Sequence, residues 1–562
     1  MGLLDPVPPP YDVADWLEQP IGPKSQAVCR AWALQGYGTP PAIFVAYAVK
    51  VALYIGLWLL FCAFSPGLGG PAEVASWWLE PAAFQKAIVA SMLFEVMGLG
   101  CGSGPLTGRY WPPIGGLLHF LRPGTTKLPF FFGAPLIGGS RRTALDALLY
   151  LALLVALVRV GIAAELEASL FYPVALLVPV LGLLDKTIFL AARAEHYWVT
   201  IVVFAVTADW LPGAKVIQAA LWFWAGVSKL NHHFPSVVCV MTSNSPVLRF
   251  EALRRRMYVN YPDDLTPSRV AVVTGHVGTF LELGVPVVLV LGSGGTITLV
   301  GLVMMVMLHA FITSNVPMGV PIEWNVLVVY AAFFLFGTHA EVSVLGLVST
   351  PILAAFVLTF ALVLPLVGNL WPERVSFLLS MRYYAGNWPY SVWLFRGRAY
   401  EKLGRLRKSS AFVYDQLDRF YDLTTSKGLV GKVIAFRLMH LAGRALTELV
   451  PKAVDDTRDY EWLDGELVAG LALGWNFGDG HLHDERLLAA LQAQCAFEAG
   501  ELRCIFVESQ PLFRSSLAYR IVDAATGELE RGEVPIDVLR CRQPWAFSER
   551  DTATSSPTAP RA

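Results

Sequence analysis

The stretch PAIFVAYAVKVALYIGLWLLFCAF, residues 41–64, decides the fold class. Lys50 is its only charge. About 20 mostly apolar residues carry a helix through about 30 Å of hydrocarbon. Working outward, the same rule finds further stretches near 82–100, 144–163, 170–192, 196–211, 214–229, 270–292, 297–313, 324–340 and 350–370. The reading is an all-α polytopic membrane bundle of about ten transmembrane helices. Composition agrees: the 562 residues are 55% hydrophobic and 15% charged, against about 45–50% and about 25% for soluble domains. Lys and Arg number 43 against 44 Asp and Glu. A balanced charge gives no basic field, so no nucleic-acid partner is expected.

The loops predict an orientation. With the N-terminus in the cytoplasm, one side collects Lys24 and Arg30, then Arg109 to Arg142, then Lys186 and Arg193, then Arg249 to Arg269. The other side holds Glu73, Glu80, Glu165, Glu167, Asp209 and Glu341, with Lys215 as its one cation. This is the positive-inside pattern. It predicts a multi-pass protein of the inner (plasma) membrane with both termini cytoplasmic. The proline run of MGLLDPVPPP lacks the basic-then-apolar order of a signal peptide. The cysteines are scattered without a CxxC pair, so no metal site is expected from them.

Composition divides the chain. Residues 1–40 read as a cytoplasmic N-terminal arm and 41–370 as the bundle. Residues 371–404, rich in Trp, Tyr and Arg, suit an interfacial segment. Residues 401–450 carry 14 charges in fifty and cannot lie in lipid. A small cytoplasmic α+β domain is expected over 405–548. Asp484 is a helix N-cap there, and LRCIFVES and LAYRIVD are strands with a turn at AATGE. The polar tail 549–562 is expected to be disordered. The glycine-rich 98–109 follows a membrane helix rather than a strand, so it is no dinucleotide fingerprint. GDGHLHDE (478–485) reads as a solvated loop or a metal site.

Polar residues within apolar spans are costly and usually serve a purpose. They gather between 195 and 340, with most of the ten histidines. WFWAGVSKLNHHFP (222–235) places Lys229 at the end of an apolar run. Lys229 is either a desolvated base or a lysine snorkelling to headgroups. His232 and His233 are adjacent and lack the i, i+4 spacing of a helical metal pair. In HVGTFLELGVPVVLVLG (276–292), Glu282 is a proton relay, an ion partner for Lys229, or an interfacial carboxylate. In MLHAFITSNVPMGVPIEWNVLVV (307–329), Pro317 and Pro321 break the backbone, and Gly319 permits an irregular turn. Such backbone is tolerated where it lines a cavity. His309 there is an interhelix hydrogen-bonder or a catalytic group.

WFWAGVSKL, LELGVPVVLV and the LHAFITSNVPMG-P-EW stretch resemble the core of the HTTM superfamily, the membrane domain shared with vitamin K-dependent gamma-carboxylase. The resemblance covers about 200–335. The whole chain also resembles an uncharacterised family of bacterial transmembrane proteins. The first resemblance implies that Lys229 is the base that deprotonates a reduced quinone cofactor, with His309 and Glu282 as supporting catalytic groups. The region yields Trp224, Asn231, His276, Asn315 and Glu323 as candidate substrate-binding residues. The expected function is a membrane-embedded oxidoreductase or lyase-like enzyme acting on a lipid-soluble quinone or lipid. The rival reading is a transporter or lipid-handling scaffold of the envelope, and a third is a non-catalytic assembly partner whose 371–400 interface segment and C-terminal domain recruit another protein.

Overall fold

The computed structural model describes residues 2–100, 115–134, 137–317, 321–475 and 480–547. Most of the glycine-rich loop, Gly319, the first residues of GDGHLHDE and the 549–562 tail lie outside the described residues.

Five helices are long and apolar enough to cross a membrane: Pro41–Cys62, Ala144–Ile162, Arg269–Leu291, Gly295–Thr313 and Pro351–Leu370. Three shorter apolar helices follow Ala168–Leu184, Ala194–Val206 and Ile322–Thr338. Pro81–Val96 and Leu211–Ser228 occupy the other two stretches and are largely buried. Every expected stretch is thus helical, but five rather than about ten meet the spanning criterion. Ala168–Leu184, Ala194–Val206 and Ile322–Thr338 fall short in length; Pro173 and Pro179 lie inside the first of them, and π-turns at Ala194–Trp198 and Phe333–Thr338 form part of the other two. The Pro41–Cys62 helix bares Val45, Val49, Leu53 and Leu60, the apolar face that hydrocarbon requires.

Helix ends are fixed by caps and by two buried lysines. Thr143 and Asp146 form a reciprocal capping box, which satisfies two orphan donors at once. Ser268 accepts from Val270 N and Ala271 N. Lys86 Nζ donates to Phe61 O at 2.7 Å and Ala163 O at 2.9 Å, so two helix C-termini end together around one cation. Lys215 Nζ donates to His339 O and Val342 O, both at 2.6 Å, in the turn that follows the Ile322–Thr338 helix.

An antiparallel sheet follows the bundle, in the order β4-β3-β5-β6-β7. β3 is Tyr390–Arg396, β4 Tyr460–Asp464, β5 Leu502–Val507, β6 Ser516–Asp523 and β7 Gly527–Pro535. A separate ribbon pairs β1, Tyr258–Asn260, with β2, Asp264–Pro267. The expected strands lie in β5 and β6, and Asp484 accepts from Arg486 N and Leu487 N. β3 falls within the stretch expected to be interfacial. Its residues 390–395 are buried between β4 and β5, so its aromatics fill a core rather than meet headgroups. Edge strand β7 carries Glu528, Glu530, Arg531 and Glu533, charges that discourage edge pairing.

The N-terminal 40 residues hold helices Val13–Glu18 and Ile21–Gln35. The second packs on the Leu423–Met439 helix, with Trp32 against Phe436 at 5.5 Å and Trp32 Nε1 donating to Val240 O at 3.2 Å. Chain start, bundle and sheet therefore share one core.

Two buried histidines make this region acid-sensitive. Burial pushes His483 down to about 4, reinforced by Arg437 and opposed by Asp464. Ser391 Oγ accepts from Trp393 Nε1 at 2.9 Å, which leaves its hydroxyl proton for His483 Nδ1 at 2.6 Å. Burial likewise pushes His440 down to about 3, against the bond from its Nδ1 to Phe436 O at 2.6 Å. Both histidines fold neutral and take a proton near pH 6.5 when unfolded. Stability is then full above about pH 6.5 and is lost as pH falls toward 4. Thermal unfolding of the purified protein should show the midpoint dropping across that window, and His483→Asn should flatten the drop. A midpoint constant from pH 7 to 4.5 would contradict this reading.

Candidate functional site

The Leu211–Ser228 helix ends at Lys229, and Gly226 lies one turn before it. A Cβ at Gly226 would come within 2.8 Å of Leu283 Cδ2 and 3.1 Å of Leu283 N. Only glycine lets this helix press so closely on the Arg269–Leu291 helix, where Glu282 neighbours Leu283. The approach brings Lys229 Nζ onto Glu282 Oε2 in a buried ion pair. Lys229 is 6% exposed and Glu282 3%. It turns into the bundle rather than out to headgroups, and Glu282 is its ion partner. The Phe234 ring lies 5.1 Å from the ammonium.

The pair forms part of the wall of a cavity of about 150 Å³. His309, Asn315 and the rings of Trp222, Trp324, Tyr383, Tyr384 and Trp388 also line it. An indole N–H can only donate. Trp222 Nε1 donates to His309 Nε2 at 3.0 Å, so the imidazole proton sits on Nδ1 and bonds Asn325 Oδ1 at 2.6 Å. Asn325 is held in turn by its Nδ2 donating to Pro321 O at 2.9 Å. His309 thus spends both nitrogens bridging three helices, and presents its ring rather than a free base. Asn315 donates from Nδ2 to Phe311 O at 2.7 Å. Its buried Oδ1 has no partner among the described residues, and so offers an acceptor to a ligand.

The cavity floor is tied to the sheet. The Arg382–Ala385 turn runs between Met381 and Gly386, both with left-handed backbone. A Cβ at Gly386 would meet Val237 at 2.9 Å. His233 pairs with Ala385 O at 3.0 Å. Gln510, just past β5, donates from its backbone to Asn387 Oδ1 at 2.9 Å, while its carbonyl accepts from Asn387 at 2.8 Å and from Asn231 at 3.2 Å. Tyr384 Oη accepts from Arg193, which pairs with Glu195.

Of the candidate residues, the fold brings Lys229, Glu282, His309 and Asn315 around one cavity. The other four point elsewhere. Trp224 Nε1 donates to Ala361 O at 2.8 Å. Asn231 serves the Gln510 clamp. His276 is exposed on its helix. Glu323 pairs with Lys50 at 2.6 Å. Sequence reasoning missed Trp222, Asn325, Tyr383 and Tyr384. Trp222 and Asn325 stood inside quoted motifs, whereas the tyrosines lay in the stretch taken as interfacial. Among the described residues no group of three or more His, Cys, Asp or Glu could hold a metal.

Desolvation makes such a pair a poor stabiliser, and breaking it from one side costs about 3–5 kcal/mol. Lys229→Met and Glu282→Leu should each lower the unfolding midpoint. The double variant should recover most of the loss, and additive losses would show that the two side chains do not form a pair.

Among known proteins, no curated sequence and no solved structure matches this one. A family profile matches residues 1–555. That match places the chain in the family described as transmembrane protein of unknown function, DUF3556.

Proposed function

We propose that the protein is a membrane-embedded enzyme acting on a lipid-soluble substrate, a quinone or lipid, with Lys229 as general base. The observation that carries this reading is the Lys229–Glu282 pair on the wall of a mostly aromatic and apolar cavity. Ionisable groups inside a bundle are costly and mark functional positions. The proton of Lys229 can pass to Glu282, which leaves an amine able to take a proton from a substrate hydroxyl. The ammonium so formed then stands beside the new oxyanion. Water is held out by the surrounding rings, which strengthens that attraction. The HTTM resemblance at WFWAGVSKL points to the same lysine.

A route for a lipid substrate supports the reading. An apolar furrow of about 860 Å³ runs along the bundle past Trp58, Trp78, Tyr330 and Val306. Its floor includes His309 and Asn325, which line the cavity as well. A lipid tail in the furrow would place its polar end at the His309–Asn325 bond. The same furrow favours the second reading, a transporter or lipid-handling protein, because it runs from Val247 to Trp78.

We further read all ten helices as crossings of the inner membrane, with the sheet region and both termini cytoplasmic. Lys86 and Lys215 support the alternation: Lys86, near the start of its helix, binds the ends of Pro41–Cys62 and Ala144–Ile162, and Lys215, near the start of its own, binds the turn that ends Ile322–Thr338.

Complementation of a deletion strain tests the lysine. Lys229→Arg, which keeps a cation beside Glu282, should abolish function at normal membrane yield, and Lys229→Ala should abolish it as well; full complementation by Lys229→Ala removes the catalytic reading. Turnover of a copurifying quinone or lipid in detergent, without a gradient, supports the enzyme. Movement of unchanged substrate across liposomes supports the transporter.

A further inference from the structure

A second pocket of about 430 Å³ lies away from the bundle, where the N-terminal helices meet the sheet. This is within the usual size of small-molecule sites, about 300–1,000 Å³. Its floor is apolar, built from Val28, Leu394, Val430, Ile434 and Val454. Trp16 and Trp462 stand at its sides. A Cβ at Gly431 would come within 2.2 Å of the Trp16 ring, so the glycine is what lets that indole lie across the Leu423–Met439 helix. Trp16 Nε1 donates to Lys24 O at 2.8 Å, which fixes the indole from its other edge.

The rim carries charge. Lys427 lies 3.7 Å from Glu461, whose other oxygen accepts from Tyr414. Arg458 is held by Asp456 at 2.6 Å. Lys24 is different. Its ammonium donates to Leu17 O at 3.0 Å and sits 5.0 Å from the Trp16 ring centre, and it makes no ion pair among the described residues. An ammonium has three donors, and Leu17 takes one. Burial holds Lys24 below the usual lysine range, with Glu461 and Glu18 opposing and Lys427 reinforcing the shift. A half-buried cation beside an indole and above an apolar floor is completed by an anion that brings its own apolar body.

We propose that this pocket binds a small amphipathic anion, a phosphate or carboxylate on an aromatic or aliphatic body, with its charge at Lys24 and its body between Trp16 and Trp462. The site shares no residue with the membrane cavity and stands independently of the function proposed for it. Cation–π contact and a charge-assisted bond act together on the same ammonium.

Calorimetric titration of the full chain in lipid nanodiscs tests the site with three probes: 1-naphthyl phosphate, dodecyl phosphate and neutral 1-naphthol. Both phosphates should bind at least tenfold more tightly than 1-naphthol. Lys24→Gln should remove that preference, Lys24→Arg should keep it, and Ile434→Trp, which fills the floor, should weaken every probe. Preference for the dodecyl ester identifies a lipid-derived ligand, and preference for the naphthyl ester a soluble aromatic one. Equal affinity for charged and neutral probes, or an unchanged preference in Lys24→Gln, overturns the proposal.

Discussion

A charge inside the bundle has to be answered within it, and the structure is organised by how each one is answered. Lys127 meets Asp146 at 2.8 Å, Arg142 meets Asp185 at 2.6 Å, and Lys50 meets Glu323 at 2.6 Å. Arg193 meets Glu195, and Lys229 meets Glu282. Lys86 and Lys215 are answered by backbone carbonyls at helix ends instead. Isolated ions transferred from water cost many kcal/mol, and pairing with good hydrogen bonds is what makes their burial tolerable. Two of the pairs join helices directly: Lys50–Glu323 holds Pro41–Cys62 to Ile322–Thr338, and Lys229–Glu282 holds the end of Leu211–Ser228 to Arg269–Leu291.

The pairs differ in what surrounds them. Asp146 is also bound by Thr143, which ties it into a helix cap. Asp185 accepts from Leu128 N and Thr187 N as well as from Arg142. These carboxylates are saturated by the chain and serve architecture. Lys229 and Glu282 instead face space large enough for a ligand group. The distinction between a brace and a reactive pair rests on that space, since the side chains are of the same types in both.

Much of this was legible in the sequence. Apolar length alone located the helices, because hydrocarbon thickness and helix rise leave little freedom. Lys229, Glu282, His309 and Asn315 were singled out by their cost in lipid, and the fold gathers those four. The four that the fold does not bring to the cavity have a common feature. Trp224, Asn231, His276 and Glu323 were chosen by proximity in sequence, but helix phase decides direction: Trp222 reaches His309, whereas Trp224, two residues on, points to Ala361. Strand β3, within 371–404, was not legible for another reason. Trp and Arg at a membrane interface and Trp and Arg inside a sheet have the same composition, and only β3's pairing with two neighbours distinguishes them.

That sheet also changes how the cavity is understood. Tyr383, Tyr384 and Trp388, just before β3, close the cavity from below. Gln510, just after β5, holds Asn387 by two hydrogen bonds and Asn231 by a third. β3 and β5 are neighbours in register, so the closing turn and its clamp belong to one rigid unit. A bundle without the sheet would keep its ion pairs but lose the floor that turns one of them into a site. The cavity is a joint product of lipid-imposed helix packing above and strand pairing below, and neither half of the chain specifies it alone.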